Sequence, residues 1–304
     1  MRRTYAPPGD RLHLSARDPR LHDLAARLWE PGEERAGAIV FDLDTFDGPA
    51  PAPEAERHVA WSHGSTEFRL RMGALLDLGI DLSTARVSGR VSSALLDAAP
   101  DLAARYVLEA PSAVLLGRRN SQVLHAGAVV GPKGAVVLRG AAGAGKSTLV
   151  AALHADGFRV LADESLFVSR RDPTDLAAAV RDLTLLPDSA ALLGVTPATR
   201  FAFSGGEEKR RIDLFAEGTP ARRRAHLAAA VLLGGRERTP ATLVPLSSEE
   251  FSLTFRDGEI PEERRTGDPD PVARAWGARG GFRLDGARDL AGAVSLLSEH
   301  LMYS

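Results

Sequence analysis

Apolar residues in this chain recur at two spacings, and the change from one to the other marks its elements. Residues 19 to 28 (PRLHDLAARL) repeat at helical spacing, whereas 38 to 43 (AIVFDL) and 68 to 72 (FRLRM) read as strands. A Pro-rich stretch, residues 48 to 53 (GPAPAP), reads as a linker, and an Ala/Leu-rich stretch from Asp101 to Leu116 predicts a helix leading into the second half. There QVLHAGAVV (122 to 130) and AVVL (135 to 138) flank the turn GPKG and predict a hairpin. If Val130 pairs with Ala135, paired numbers sum to 265 (130 + 135) and His125 falls opposite Gly140. Leu149, Val150 and Leu153 then fall on one face of a helix over 147 to 156, which Gly157 ends; Phe158 to Ala162 is a short strand ending at Asp163-Glu164. So compact a strand, helix and strand predicts a right-handed parallel unit, with both strand ends at the carboxyl edge where open α/β sheets bind ligands. Near the end Leu290, Val294, Leu297 and Leu301 form one apolar helix face, read as core or subunit contact. The order predicts an α/β protein: a smaller α/β lobe over residues 1 to 120, serving as packing support or in acceptor recognition, and a larger domain over 121 to 304.

Between AVVL and the helix, residues 140 to 147 (GAAGAGKS) fit the phosphate-loop pattern G-x-x-x-x-G-K-[ST]. At this chain's own residue frequencies the pattern arises by chance in about three of every thousand such sequences. Three lysines stand among 38 basic residues, so a lysine inside the motif is informative where a compact ammonium must fit among phosphate oxygens. The strand, loop and helix order aims free N–H groups and the positive end of the helix dipole into the loop. Gly140, Gly143, Ala144, Gly145, Lys146, Ser147 and Thr148 are the expected nucleotide-binding set: the glycines let the backbone approach the phosphates, Lys146 reaches the β- and γ-phosphates, and Ser147 ligates Mg²⁺. Asp163 and Glu164 face the loop from the next strand. One is expected to hold Mg²⁺ with Ser147 and the other to accept a proton from an attacking hydroxyl. His125 at the mouth is placed to orient a carboxylate or contact the transferred group.

Composition narrows the rest. With 304 residues, 44% of them hydrophobic, the chain buries a sizeable core, and a formal charge of −2 with scattered basic residues leaves no footprint for nucleic acid. There is no cysteine, and the start MRRTYAPPGD carries no apolar leader, so a cytoplasmic protein is expected. The longest apolar runs fall far short of the roughly 20 residues that cross a bilayer, so no membrane partner is expected. His58 and His63 have no ligand-like spacing and read as structural or surface residues.

Residues 124 to 165 (LHAGAVVGPKGAVVLRGAAGAGKSTLVAALHADGFRVLADES) resemble the kinase domain of HPr kinase/phosphorylase, whose fold is related to phosphoenolpyruvate carboxykinase. His-containing strand, phosphate loop and acidic pair follow in that family's order and spacing. The resemblance implies a P-loop kinase domain of that type and matches His125, Lys146, Ser147 and Asp163 to positions serving phosphate and Mg²⁺ binding and proton transfer. In the family the acidic pair is Asp-Asp; here Glu164 stands second, and both members stay candidates for the base. The family's downstream glycine-rich, Arg-containing segment, tied to the phosphorylase reaction, has no good copy. Residues 204 to 214 (SGGEEKRRIDL) stand in its region, with Ile212 and Leu214 on one strand face and Lys209, Arg211 and Asp213 on the other. Lys209 is the candidate catalytic cation of that face, ahead of Arg210 and Arg211. The pattern is similar to HPr kinase-like proteins associated with peptide natural products, including lasso-peptide kinases that modify a precursor's C-terminal serine; other relatives phosphorylate free serine. The resemblance therefore implies ATP- and Mg²⁺-dependent transfer of the γ-phosphoryl group to a serine hydroxyl, on a peptide or small protein. A small-molecule kinase and a non-catalytic ATP-binding regulatory module are the alternatives, and a homo-oligomer is possible.

Overall fold

The structure, a computed structural model, describes residues 1–8, 10–33, 38–52, 55–178, 182–194, 201–204, 207–213, 224–237 and 239–303. They form a mixed α/β protein that divides into two compact units, one of Met1–Arg119 with Phe203–Glu207 and one of Asn120–Ala202 with Glu208–Ser304.

In the first unit the strands are β1 (Arg2–Ala6), β2 (Leu12–Ala16), β3 (Glu30–Pro31), β4 (Ile39–Phe46), β5 (Val59–His63), β6 (Glu67–Met72), β7 (Leu76–Asp81) and β8 (Arg86–Ser92). They make one sheet in the order β3-β1-β2-β4-β8-β7-β6-β5, parallel at β2–β4 and β4–β8 and antiparallel elsewhere. Strict alternation decides which face is buried: Phe68, Leu70 and Met72 on β6 and Leu76, Leu78 and Ile80 on β7 point inward, and charged residues take the other side. Helix α1 (Pro19–Leu28) is capped by Asp18, whose side chain accepts from the Arg20 N–H, and it buries Leu21, Leu24, Ala25 and Leu28. Helices α2 (Ser93–Ala98), α3 (Pro100–Ala103) and α4 (Ala110–Arg119) close the unit, with a wider π-type turn at Ala104–Glu109 in the stretch expected to be helical.

The second unit is built on β9 (Ser121–Gly131), β10 (Gly134–Arg139), helix α5 (Lys146–Ala155), β11 (Arg159–Ser169) and β12 (Asp175–Ala177). Further along come β13 (Asp182–Leu185), α6 (Pro187–Leu192), β14 (Phe201–Ser204) and β15 (Glu207–Asp213), of which Phe203, Ser204 and Glu207 are assigned to the first unit, then β16 (Arg224–Leu233) and β17 (Thr242–Leu246). The chain ends with α7 (Ser248–Phe255), α8 (Pro261–Thr266), α9 (Asp270–Ala278), β18 (Gly281–Asp285) and α10 (Leu290–Leu297). The main sheet runs β10-β9-β11-β12-β16-β18-β17, and β10 also pairs in parallel with β16, so five of the strands close a circuit. A smaller sheet has the order β13-β15-β14.

The central strands are buried on both faces, as their near-continuous apolar runs require. Val136 and Leu138 of β10 join Val129, Leu149, Val150 and Leu153 in a core under α5 and α10, while Ala135 and Val137 join Leu124, Ala126, Phe251, Phe255 and Trp276 in the core on the other side. Leu297 and Leu301 are buried in the first of these cores, with Leu290 and Val294 packed against it, so the terminal apolar face is core. Among the described residues no helix is long and apolar enough to cross a membrane.

Two expectations need correction. The strand after α5 does not stop at the acidic pair; β11 continues to Ser169, because the eleven residues of β9 offer it a partner down to Ser121–Ser169. Strands β10 and β11 run in the same direction, as expected, but β9 lies between them and is antiparallel to both, so they are not neighbours.

Candidate active site

The hairpin register is the one the turn dictates: Ala135 faces Val130 and the ladder runs to Leu138 opposite Gly127. Gly127 is also opposite Asp163 on β11, so Leu138, Gly127 and Asp163 stand in one row across the sheet. β10 ends at Arg139, one residue past that row, and the phosphate loop begins there. The acidic pair thus lies inside its strand yet level with the start of the loop. Beyond the row β9 and β11 continue together, and His125 pairs with Ser165 while β10 has turned away. Its backbone N–H donates instead to Oε1 of Glu263.

The loop has the backbone its sequence calls for. Gly143 and Gly145 have φ of 78° and 97°, in the left-handed region, and α5 starts directly after Gly145. The ring of contacts under it is tight: a Cβ at Gly127 would lie 2.6 Å from Cγ2 of Val150, so glycine there lets α5 sit close on β9. Lys146 is buried, and its Nζ donates to the carbonyls of Gly140 (2.8 Å) and Ala141 (3.2 Å). Burial, then the neighbouring Arg139 cation, pull its pKa below the ordinary lysine value, against Asp163, Glu263 and Glu164. Ser147 is half-buried on the first turn of α5, and the Thr148 hydroxyl hydrogen-bonds that of Ser189 at 2.8 Å, tying α5 to α6.

Asp163 is half-buried and one of its oxygens, Oδ2, accepts the backbone N–H of Thr184 on β13 at 3.0 Å. Glu164, also half-buried, has φ of 104°, a conformation that costs a side-chain-bearing residue on the order of 1–3 kcal/mol. His125 is pushed down to about 4 by burial first, then by Lys146 and Arg139, with Glu164 pulling the other way through its charge and its backbone. The imidazole is therefore neutral at pH 7. His125, Lys146, Asp163 and Glu164 form one electrostatically linked group. Lys209 lies on β15, which pairs with β13 so that Arg211 is opposite Thr184, but the side chains of Lys209, Arg210 and Arg211 lie outside the described residues, as do Gly205, Gly206 and Leu214. His58 and His63 are exposed and stand on the first unit.

Residues not singled out in the sequence also meet here. Arg236, in the turn after β16, donates from Nη1 to the carbonyl of Gly143 at 2.6 Å. β16 runs parallel to β10 beside it, which carries that turn to the same edge as the loop. Arg139 and Glu263 form a buried ion pair behind the loop. An arginine in the same alternating set as Ala135 and Val137 was a legible signal, since a charge at a core position demands a partner. Its partner 124 residues away was not legible. Among the described residues no group of three or more His, Asp or Glu side chains is arranged to hold a metal by itself.

No family model matches the sequence, and no curated protein matches it. Among solved structures, the HPr(Ser) kinase/phosphatase from Coxiella burnetii superposes with a TM-score of 0.33 at 15% identity, covering 59% of this chain and 95% of that one.

Proposed function

We propose that this protein is an ATP-dependent kinase that transfers the γ-phosphoryl group to a serine hydroxyl, with a peptide or small protein as acceptor. The observation that supports it is the row Leu138–Gly127–Asp163, which sets the carboxylate pair level with the start of the glycine loop, with His125 two residues further along β9. The acceptor class comes from the resemblance carried by residues 124 to 165.

On this reading Lys146 exchanges two loop carbonyls for the β- and γ-phosphate oxygens, and the N–H groups of the first α5 turn bind the same phosphates. Arg236 adds a second cation at the loop's apex. Ser147 and one carboxylate fit a hydrated Mg²⁺, a hard cation that keeps several waters and takes few protein oxygens. When bound, Mg²⁺ neutralises charge on the β- and γ-phosphate oxygens. Asp163, whose Oδ2 accepts the Thr184 N–H, is held in place for such a role. The remaining carboxylate, helped by the His125 imidazole, takes the serine proton as the new O–P bond forms and the bond to the leaving ADP breaks. Positioning and charge neutralisation supply most of the rate.

The test is intact mass spectrometry after incubation with Mg·ATP and three acceptors: a precursor peptide ending in serine, an HPr protein and free serine. A gain of one phosphoryl group on one acceptor is expected, absent with Lys146→Ala and largely lost with Asp163→Asn. Full activity in an Asp163→Asn/Glu164→Gln double variant would exclude the carboxylates. ATP binding with no transfer to any acceptor would favour a regulatory nucleotide-binding module.

A further inference from the structure

Arg139, in the alternating set of Ala135 and Val137 on β10, is 1% exposed and packs on Phe255. It meets Glu263 of α8, 2% exposed, through two parallel hydrogen bonds of 2.7 and 2.8 Å. Its Nε donates to the Phe255 carbonyl at 2.9 Å, and its guanidinium lies 4.1 Å from the centre of the Phe255 ring. A buried pair of this kind is a poor way to stabilise a core: apolar side chains of similar volume at both positions are often as stable or more so. The pair therefore calls for another explanation, and its remaining contacts supply one.

The Glu263 oxygen that receives Nη1 of Arg139 also receives the backbone N–H of His125. That N–H lies two residues beyond the last β9–β10 pair, where β10 has turned into the phosphate loop. A carboxylate thus stands in for the strand that has left. Gln122, three residues back on β9, bonds Thr266 Oγ1 at 3.2 Å and the Glu263 carbonyl at 3.4 Å, fixing α8 along the strand. On the other side the backbone at Gly258 lies so close to Arg139 and Gly140 that an added Cβ would meet both within about 3 Å. From these contacts we infer that Arg139 and Glu263 are positioning residues: a charged clamp that sets the spacing between the His125 strand and the phosphate loop where the ladder opens. The inference rests on the reading of that loop as a nucleotide site.

The test compares the full chain with an Arg139→Met/Glu263→Leu variant, which fills the space without charge, and with Glu263→Gln, which keeps an acceptor for the His125 N–H but leaves the arginine without its counter-charge. Three quantities are read: the thermal midpoint, the Kd for Mg·ATP by calorimetric titration, and the exchange rate of the His125 amide by NMR. The apolar pair is expected to hold or raise the midpoint, to bind Mg·ATP at least about tenfold more weakly, since misplacement by an ångström is costly at such sites, and to exchange the His125 amide at least about tenfold faster. Glu263→Gln, which keeps an acceptor but loses the counter-charge, is expected to lower the midpoint more than the apolar pair does, yet to weaken Mg·ATP binding and speed His125 exchange less than that pair. Crossed rankings of that sort separate a clamp from a stabiliser. A folded apolar pair with native Kd and native His125 exchange overturns the inference. So does an apolar pair that fails to fold, or binding that follows the midpoint in both variants. If the native protein does not bind Mg·ATP, the kinase reading fails, and the exchange rates alone still judge the clamp.

Discussion

At the scale of single residues, His125 makes the site sensitive to acid. Its folded pKa, about 4, lies below the ordinary 6.5, so between those values the unfolded chain binds the extra proton and stability rises with pH. The contribution is complete above about pH 6.5 and is lost as the pH falls toward 4, amounting to up to about 3 kcal/mol. A His125→Gln variant is expected to lose less stability than the native protein between pH 6.5 and 4.5, measured by urea denaturation; parallel curves would place the acid sensitivity elsewhere. His125, Lys146, Ser147, Asp163 and Glu164 could be named as candidates from the sequence because a motif and a hairpin register are local statements. Arg236 was not, because its relation to Gly143 depends on β16 lying beside β10, a pairing between segments more than 80 residues apart that no local pattern encodes.

At the scale of elements, the site depends on how closely α5 approaches β9. Gly127→Val is expected to cost about 1–3 kcal/mol, because the new side chain meets Val150 and α5 must shift. Chemical denaturation checks this, and Val150→Ala in the same chain should recover part of the loss. The hairpin, the loop and α5 were readable from turn chemistry and from the switch between two apolar spacings. The length of β11 was not. An acidic pair after an apolar run reads as a strand end, and what overrode that reading was the partner strand β9, whose pairs extend past it. β13 was missed for a similar reason: four residues are too few to carry a pattern, and their contribution, the Thr184 N–H on Asp163, is made by backbone.

At the scale of the whole molecule, ligand binding and stability are linked. On the proposed function, Mg·ATP at a concentration 100-fold above its Kd adds about 2.7 kcal/mol to the folded state. For a unit of this size that raises the thermal midpoint by about 5–10 °C. Scanning calorimetry should find the shift in the native chain and not in Lys146→Ala. The α/β class came from the order of elements, whereas the closed circuit of strands came from long-range pairing of β10 with β16.

That circuit has a kinetic consequence. β10 is hydrogen-bonded on both sides, so the strand feeding the loop has no free edge along which to fray. On the proposed function, a phosphate entering the loop displaces the Lys146 Nζ from two carbonyls, a side-chain change that leaves the strand in place. The observed rate of nucleotide association should then climb in a straight line with concentration, with no plateau to mark a slow step in the protein.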